Sequence, residues 1–221
     1  LFFLTFFYQY LPIITPDETM LFYTTRRSGT TGRLFDLEGY HTADIFFSKY
    51  KYGKWSRARS IGSPNSYGNE HTAGVTEDGK TILYHVNNPE SKNNLQISNK
   101  SKSSFKRSTK IKSTAINSHS SIQSTATISN NRNFMILSSD RREGLGGNDL
   151  YISNKLPNNE WATPINMGNN INTKYDESNP YLTDNGMTLY FSSTGHSSIG
   201  GYDIFVSYFD SVNKERAKPQ N

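Results

Sequence analysis

The chain predicts an all-β fold, a β-propeller of about four recognisable four-stranded blades. Three observations predict it. A pair of short apolar runs recurs four times along the sequence. Turn-forming Asp, Asn and Gly residues stand at fixed places between those runs. A large aromatic residue follows the first three copies at a matching distance. A unit of roughly 50 residues made of strand-length segments is the signature of an array of small sheets.

The first run of each copy reads Ile13-Ile-Thr-Pro-Asp17, Gly74-Val-Thr-Glu-Asp78, Thr127-Ile-Ser-Asn-Asn131 and Tyr181-Leu-Thr-Asp-Asn185. From Ile14 to Val75 is 61 positions, Val75 to Ile128 is 53, and Ile128 to Leu182 is 54. Four positions past each Asp or Asn come Leu21-Phe-Tyr, Ile82-Leu-Tyr, Met135-Ile-Leu and Leu189-Tyr-Phe. Such runs, rich in Ile, Leu, Tyr and Phe, fit strands. Asp78-Gly79 and Asn185-Gly186 are strong hairpin signals, because a tight primed turn needs positive φ. Asp17-Glu18 and Asn131-Arg132 keep the turn-forming residue without the glycine.

A third run follows in each copy: Asp44-Ile-Phe-Phe-Ser48, Asn94-Leu-Gln-Ile-Ser98, Asp149-Leu-Tyr-Ile-Ser153 and Asp203-Ile-Phe-Val-Ser207. Gly146-Gly147 and Gly200-Gly201 mark the turns before the last two. Trp55, Phe105 and Trp161 form the aromatic column, which suits apolar anchors packed between neighbouring sheets. The fourth copy shows no equivalent, so it predicts no outer strand there. The organisation is an apolar segment over 1–9, a propeller over 10–209 and a polar tail over 210–221. The blades are about 10–62, 63–115, 116–168 and 169–209. The segment over 1–7 reads as a fragment end, a signal-peptide remnant or a strand that closes the ring.

Composition narrows the function classes. There are no cysteines, which excludes disulfides, a thiol nucleophile and thiolate metal sites. No segment approaches the roughly 18 apolar residues of a membrane span. The formal charge is +5. Lys100, Lys102, Lys106, Arg107, Lys110 and Lys112 lie together, but only Phe105 stands among them. Nucleic-acid binding needs a basic face with stacking aromatics, so this stretch reads as a solvated outer strand and no nucleic-acid partner is expected.

Candidate chemistry is weighed against structural roles. Asp44, Asp149 and Asp203 recur once per blade, and a recurring carboxylate usually fixes a turn by accepting backbone N–H groups. Trp55 and Trp161 are likewise assigned to the repeat structure. Glu70, Gln123 and Glu177 stand five positions before the aliphatic anchor, with Asp176 beside Glu177. They are the candidate binding column at the mouth of a central channel. His41, His71, His85, His119 and His196 lack metal-ligand spacing, and the Gly-rich stretches precede no helix. No metal, no cofactor and no catalytic residue is predicted.

The sequence resembles the WD40-like, TolB-like propeller repeats, whose usual form is Pro-Asp-Gly-Lys-x-Leu-Tyr-Phe-x-Ser. Residues 171–180, 189–196 and 200–207 are similar to propellers of Bacteroidetes cell-envelope proteins. In those, propellers are associated with OmpA-like peptidoglycan-binding domains, and some belong to type IX secretion and gliding machinery. The resemblance implies a non-catalytic periplasmic interaction scaffold, outer-membrane-associated, with an envelope protein, peptidoglycan or another glycan as partner. The chain is thus expected not to be an enzyme. Two alternatives stay open: a propeller glycoside hydrolase, which needs two converging carboxylates, and a lectin-like glycan binder with exposed Tyr175, Tyr181 or Tyr202.

Overall fold

The computed structural model describes residues 8–35, 39–76, 78–88, 91–101, 104–107, 109–113, 115–117, 123–183 and 186–221. All regular elements among them are strands, and all strand pairs are antiparallel. The segment over 1–7 and the Asn185 half of one predicted hairpin lie outside the described residues.

The described strands form the four small sheets of a β-propeller fold, and the chain divides into two compact units, 1–110 and 111–221. In the first unit, the first sheet holds β1 (Gln9–Ile14), β2 (Met20–Thr25) and β3 (Asp44–Lys51). Its outer strand is split into β4 (Lys54–Trp55) and β5 (Arg59–Ser60), both paired with β3. The second sheet holds β6 (Asn69–Val75), β7 (Thr81–Asn88) and β8 (Ser91–Ser101), with outer pieces β9 (Ser104–Phe105) and β10 (Thr109–Lys110). In the second unit, β11 (Gln123–Ile128), β12 (Phe134–Ser139), β13 (Asp149–Asn154) and β14 (Ile165–Asn166) form the third sheet. The fourth is β15 (Glu177–Leu182), β16 (Thr188–Ser193), β17 (Asp203–Asp210) and β18 (Glu215–Arg216).

The β17–β18 pair corrects one expectation. Arg216 pairs with Phe209, and Gln220 bridges Val206, so residues of the expected polar tail supply the outer strand of the fourth sheet. Two-residue outer strands carry too few side chains to show a period, which is why the sequence hides them.

The hairpins repeat one device. Thr15, Thr76, Ser129 and Thr183 each donate their N–H to the carbonyl five residues on, at 2.9–3.0 Å within the group. The hydroxyls of Thr15, Thr76 and Ser129 also reach Asp17, Asp78 and Asn131, at 2.6, 2.7 and 2.8 Å. Gly79 and Gly186 take φ of 60° and 69° in these turns, and Glu18 and Arg132 take the same left-handed conformation at 55° and 58°. The two turns without glycine therefore keep the turn and place a non-glycine residue in a sparsely populated region.

Alternate residues of each inner strand pack inward. In the first unit, Met20, Phe22 and Ile45 join Ile82, Tyr84 and Phe105 in one core, where Phe22 and Phe105 meet edge to face at 5.7 Å. In the second, Ile136 and Leu150 join Leu182, Leu189, Phe191 and Phe205. Each core is thus sealed between two consecutive sheets.

Candidate functional site

The carboxylates singled out by the sequence stand at or beside the starts of the innermost and third strands of their own sheets. Thr31 donates its N–H and hydroxyl to Asp44, both at 2.8 Å. Leu145 N–H and the Asn166 amide donate to Asp149, and Ile199 N–H donates to Asp203 at 2.6 Å. Each Asp therefore closes the loop that precedes its strand. Asp44 and Asp149 are buried, and Asp203 is half-buried. Burial pushes the Asp44 carboxyl up, against the lowering effect of its bonds from Thr31.

Glu70 and Glu177 both have 0% of their surface exposed. Ser66 donates its N–H to Glu70 at 3.0 Å and its hydroxyl at 2.5 Å. Thr173 does the same for Glu177 at 2.8 and 2.7 Å, and Ser193 adds a hydroxyl bond at 2.6 Å. Both carboxylates thus point into the loop four residues upstream rather than into open space. Burial raises the Glu70 carboxyl to about 7, opposed by the Ser66 bonds and helped by the nearby Asp44 charge. Asp176 is half-buried and accepts from Asn148 N–H at 2.8 Å. The backbone of Gln123 pairs with Ser139, and its side chain lies outside the described residues.

Two residues that organise these corners escape sequence reasoning. Asn65 accepts from Ile45 N–H at 2.9 Å and donates to Ile45 C=O at 3.0 Å. Asn172 grips Leu150 in the same way, at 2.8 and 2.9 Å. Each lies five positions before the buried glutamate, in Asn65-Ser66 and Asn172-Thr173. The shared Asn-Ser/Thr-x-x-x-Glu spacing is the signal that could have found them.

The aromatic column divides. Phe105 and Trp161 are buried at 3% and 8% exposure. Trp55 is half-buried on the outer hairpin of the first sheet, its ring 5.1 Å from Tyr50. Among the described residues, no cluster of three or more His, Asp or Glu side chains is placed to hold a metal ion. No helix among them is long and apolar enough to cross a membrane.

An open face remains on the fourth sheet. Tyr181 pairs across the strands with Tyr190, and Tyr190 with Val206. Ile204 and Tyr208 flank Val206 on the same face of β17. Tyr181, Tyr190, Ile204 and Tyr208 are 39%, 41%, 69% and 52% exposed. The matching positions of the third sheet, Ile136 and Ile152, face the core that the fourth sheet covers. In the first sheet, Phe22 and Phe47 do the same toward the second.

Comparison with known proteins agrees with this architecture. No family model matches the chain, and no curated protein matches its sequence. Solved structures do. The putative TolB from Agrobacterium tumefaciens is 13% identical, with a TM-score of 0.51 over 96% of this chain and 80% of its own. An α-L-arabinofuranosidase from Podospora anserina, solved with cellotriose, is 12% identical, with a TM-score of 0.55 over 94% of this chain and 65% of its own. Puromycin hydrolase is 9% identical, with a TM-score of 0.53 over 96% of this chain but only 28% of its own length. At these identities the likeness establishes the propeller fold alone.

The comparisons correct the expectation that the chain is not an enzyme. The structural neighbours are largely enzymes, a hydrolase and a glycosidase among them. The missing motif carried that expectation, and it does not suffice. Catalytic side chains converge in space from separate strands, so they need no recognisable spacing in sequence.

Proposed function

We propose that this chain is the partner-binding module of a periplasmic envelope protein. It would be held near the outer membrane or peptidoglycan, in the OmpA-associated group of Bacteroidetes propellers that the repeats resemble. The observation that carries the reading is the open aromatic face of Tyr181, Tyr190, Ile204 and Tyr208. Tyrosine tolerates water while offering a rigid apolar ring, which makes it a common anchor at protein interfaces. In the first and third sheets the matching face is covered by the next sheet of the same unit, so the geometry suits a partner that presents a similar apolar surface.

Three tyrosines named from sequence, Tyr175, Tyr181 and Tyr202, are 50%, 39% and 52% exposed, which favours a glycan partner as the second reading. The test compares the wild-type chain with a Tyr181→Ser/Tyr190→Ser variant as bait in envelope extract, with purified peptidoglycan sacculi alongside. A protein recovered by wild type and lost by the variant supports the module. Retention on sacculi that the variant loses moves the partner to glycan. Equal recovery by both baits sinks the reading.

A further inference from the structure

The β3–β4 hairpin of the first sheet carries a charge arrangement that the propeller frame does not need. Its sequence, Lys49-Tyr-Lys-Tyr-Gly-Lys-Trp-Ser-Arg-Ala-Arg59, holds five cations and no acid. A groove of about 370 Å³ runs along it, with Lys49, Lys51, Lys54 and Arg59 around Phe47 and Trp55. Among the described residues, none of these four cations pairs with a carboxylate. The adjacent β1–β2 hairpin, whose Thr19 C=O accepts from Tyr50 N–H, carries Asp17 and the exposed Glu18, and among the described residues Glu18 makes no ion pair with these cations. Both Asp17 oxygens are taken up by Thr15 and Thr19. The Lys49 ammonium is pushed below its ordinary value by burial and then by the nearby positive charges of Lys100, Lys51 and Arg59. Like charges gathered without a counter-charge repel one another, and a bound anion relieves that repulsion.

We propose that this hairpin docks on an anionic phospholipid surface, the Lys49–Lys51–Lys54–Arg59 groove holding a phosphate headgroup while Tyr52 reaches the interface. Tyr52 stands at the turn with φ 52°, followed by Gly53 at 74°, and its side chain is 99% exposed. Lysines at headgroup level beside a protruding aromatic ring are the chemistry of a membrane–water interface. A nucleic-acid strand needs several free rings for stacking. Here Trp55 lies against Tyr50, and Phe47 lies against Phe22 and beneath the Lys49 ammonium at 5.8 Å. That leaves Tyr52 as the ring at this tip without a packed neighbour, and favours headgroup recognition.

The test is co-sedimentation with vesicles of phosphatidylcholine containing one-third phosphatidylglycerol, against pure phosphatidylcholine. Exposed positions are altered, so folding is preserved. Wild type is expected to bind the acidic vesicles and to be released by salt. Lys51→Gln/Lys54→Gln is expected to weaken binding about fivefold for each cation removed. Tyr52→Ser is expected to weaken it while leaving the salt dependence unchanged. Equal binding to both vesicle types, or binding to neither, overturns the proposal. So does a single-stranded oligonucleotide held more tightly than acidic vesicles at the same salt. Glycerol phosphate that alters Trp55 fluorescence when acidic vesicles do not would assign the groove to a free phosphate ester and overturn lipid docking.

Discussion

Asn172 holds Leu150 by both polar groups of its backbone, accepting from the N–H at 2.8 Å and donating to the C=O at 2.9 Å. Both residues are buried, at 2% and 0% exposure, so water cannot replace the amide. Asn172→Ala leaves the buried Leu150 N–H unpaired, while the C=O keeps the Met167 N–H at 3.0 Å, and is expected to cost about 1–3 kcal/mol. Denaturant unfolding checks this. A loss below about 1 kcal/mol would mean that the strand finds other partners.

The glycine pair before β13 allows a close backbone approach. A Cβ on Gly146 would collide with the Tyr175 carbonyl oxygen and meet Lys174 C and Thr173 O, both at 2.8 Å. These are backbone atoms and cannot swing aside. Gly201, in the matching loop of the fourth sheet, has nothing within 4 Å. Gly146→Ala is expected to lower stability by more than about 2 kcal/mol, and Gly201→Ala to stay within about 0.5 kcal/mol. Thermal melts of the two variants side by side decide it.

Glu70 and His71 pull the pH dependence of stability in opposite directions. Glu70 is raised from 4.5 to about 7 by burial, so its stabilising effect is full below 4.5 and is lost as pH rises toward 7. His71 is lowered from 6.5 to about 4, first by burial and then by the Arg26 charge. It therefore destabilises the fold as pH falls from 6.5 toward 4. Between about 4.5 and 6.5 the two slopes oppose each other. Glu70→Gln should leave a chain that loses stability on acidification across that window, and His71→Gln one that gains it. Urea titrations at several pH values read both slopes. Parallel profiles for the two variants would refute the pairing.

The two tryptophans should separate sharply. Trp161 is 8% exposed, and Trp161→Ala is expected to cost about 3–5 kcal/mol. Trp55 is half-buried on an outer hairpin, and Trp55→Ala is expected to cost about 1 kcal/mol. Chemical denaturation of the two variants tests the difference, and equal losses would contradict it.

How legible each residue is in the sequence follows from how it acts. Long inner strands repeat their apolar pattern, so Leu21, Ile82, Met135 and Leu189 mark β2, β7, β12 and β16 by spacing alone. Turn residues act locally, and Asp17, Asp78 and Asn131 declare the hairpins that their side chains close. Asn65 and Asn172 act at a distance of 20 and 22 positions, and a single Asn in a loop looks like any turn residue. Glu70 and Glu177 stand out as a column, but spacing does not show that Ser66 and Thr173 bond their carboxylates from the preceding loop. Spacing gives the strand position and not the direction of the side chain. Arg216 is hidden in a polar run, although it donates to Gly186 and Met187 carbonyls at 2.8 and 3.1 Å.

The amide clamps also bear on how such arrays are copied and exchanged. Asn65 and Asn172 lie after the outer strands of their own sheets, in the segments leading to the next, yet they hold the third strand of the sheet just completed. A genetic crossover placed after β5 or β14, where the last strand of a sheet ends, would part the strand from its clamp. The heritable unit is therefore offset from the visible one. A transplanted sheet should keep its shape only if the splice point lies beyond the asparagine.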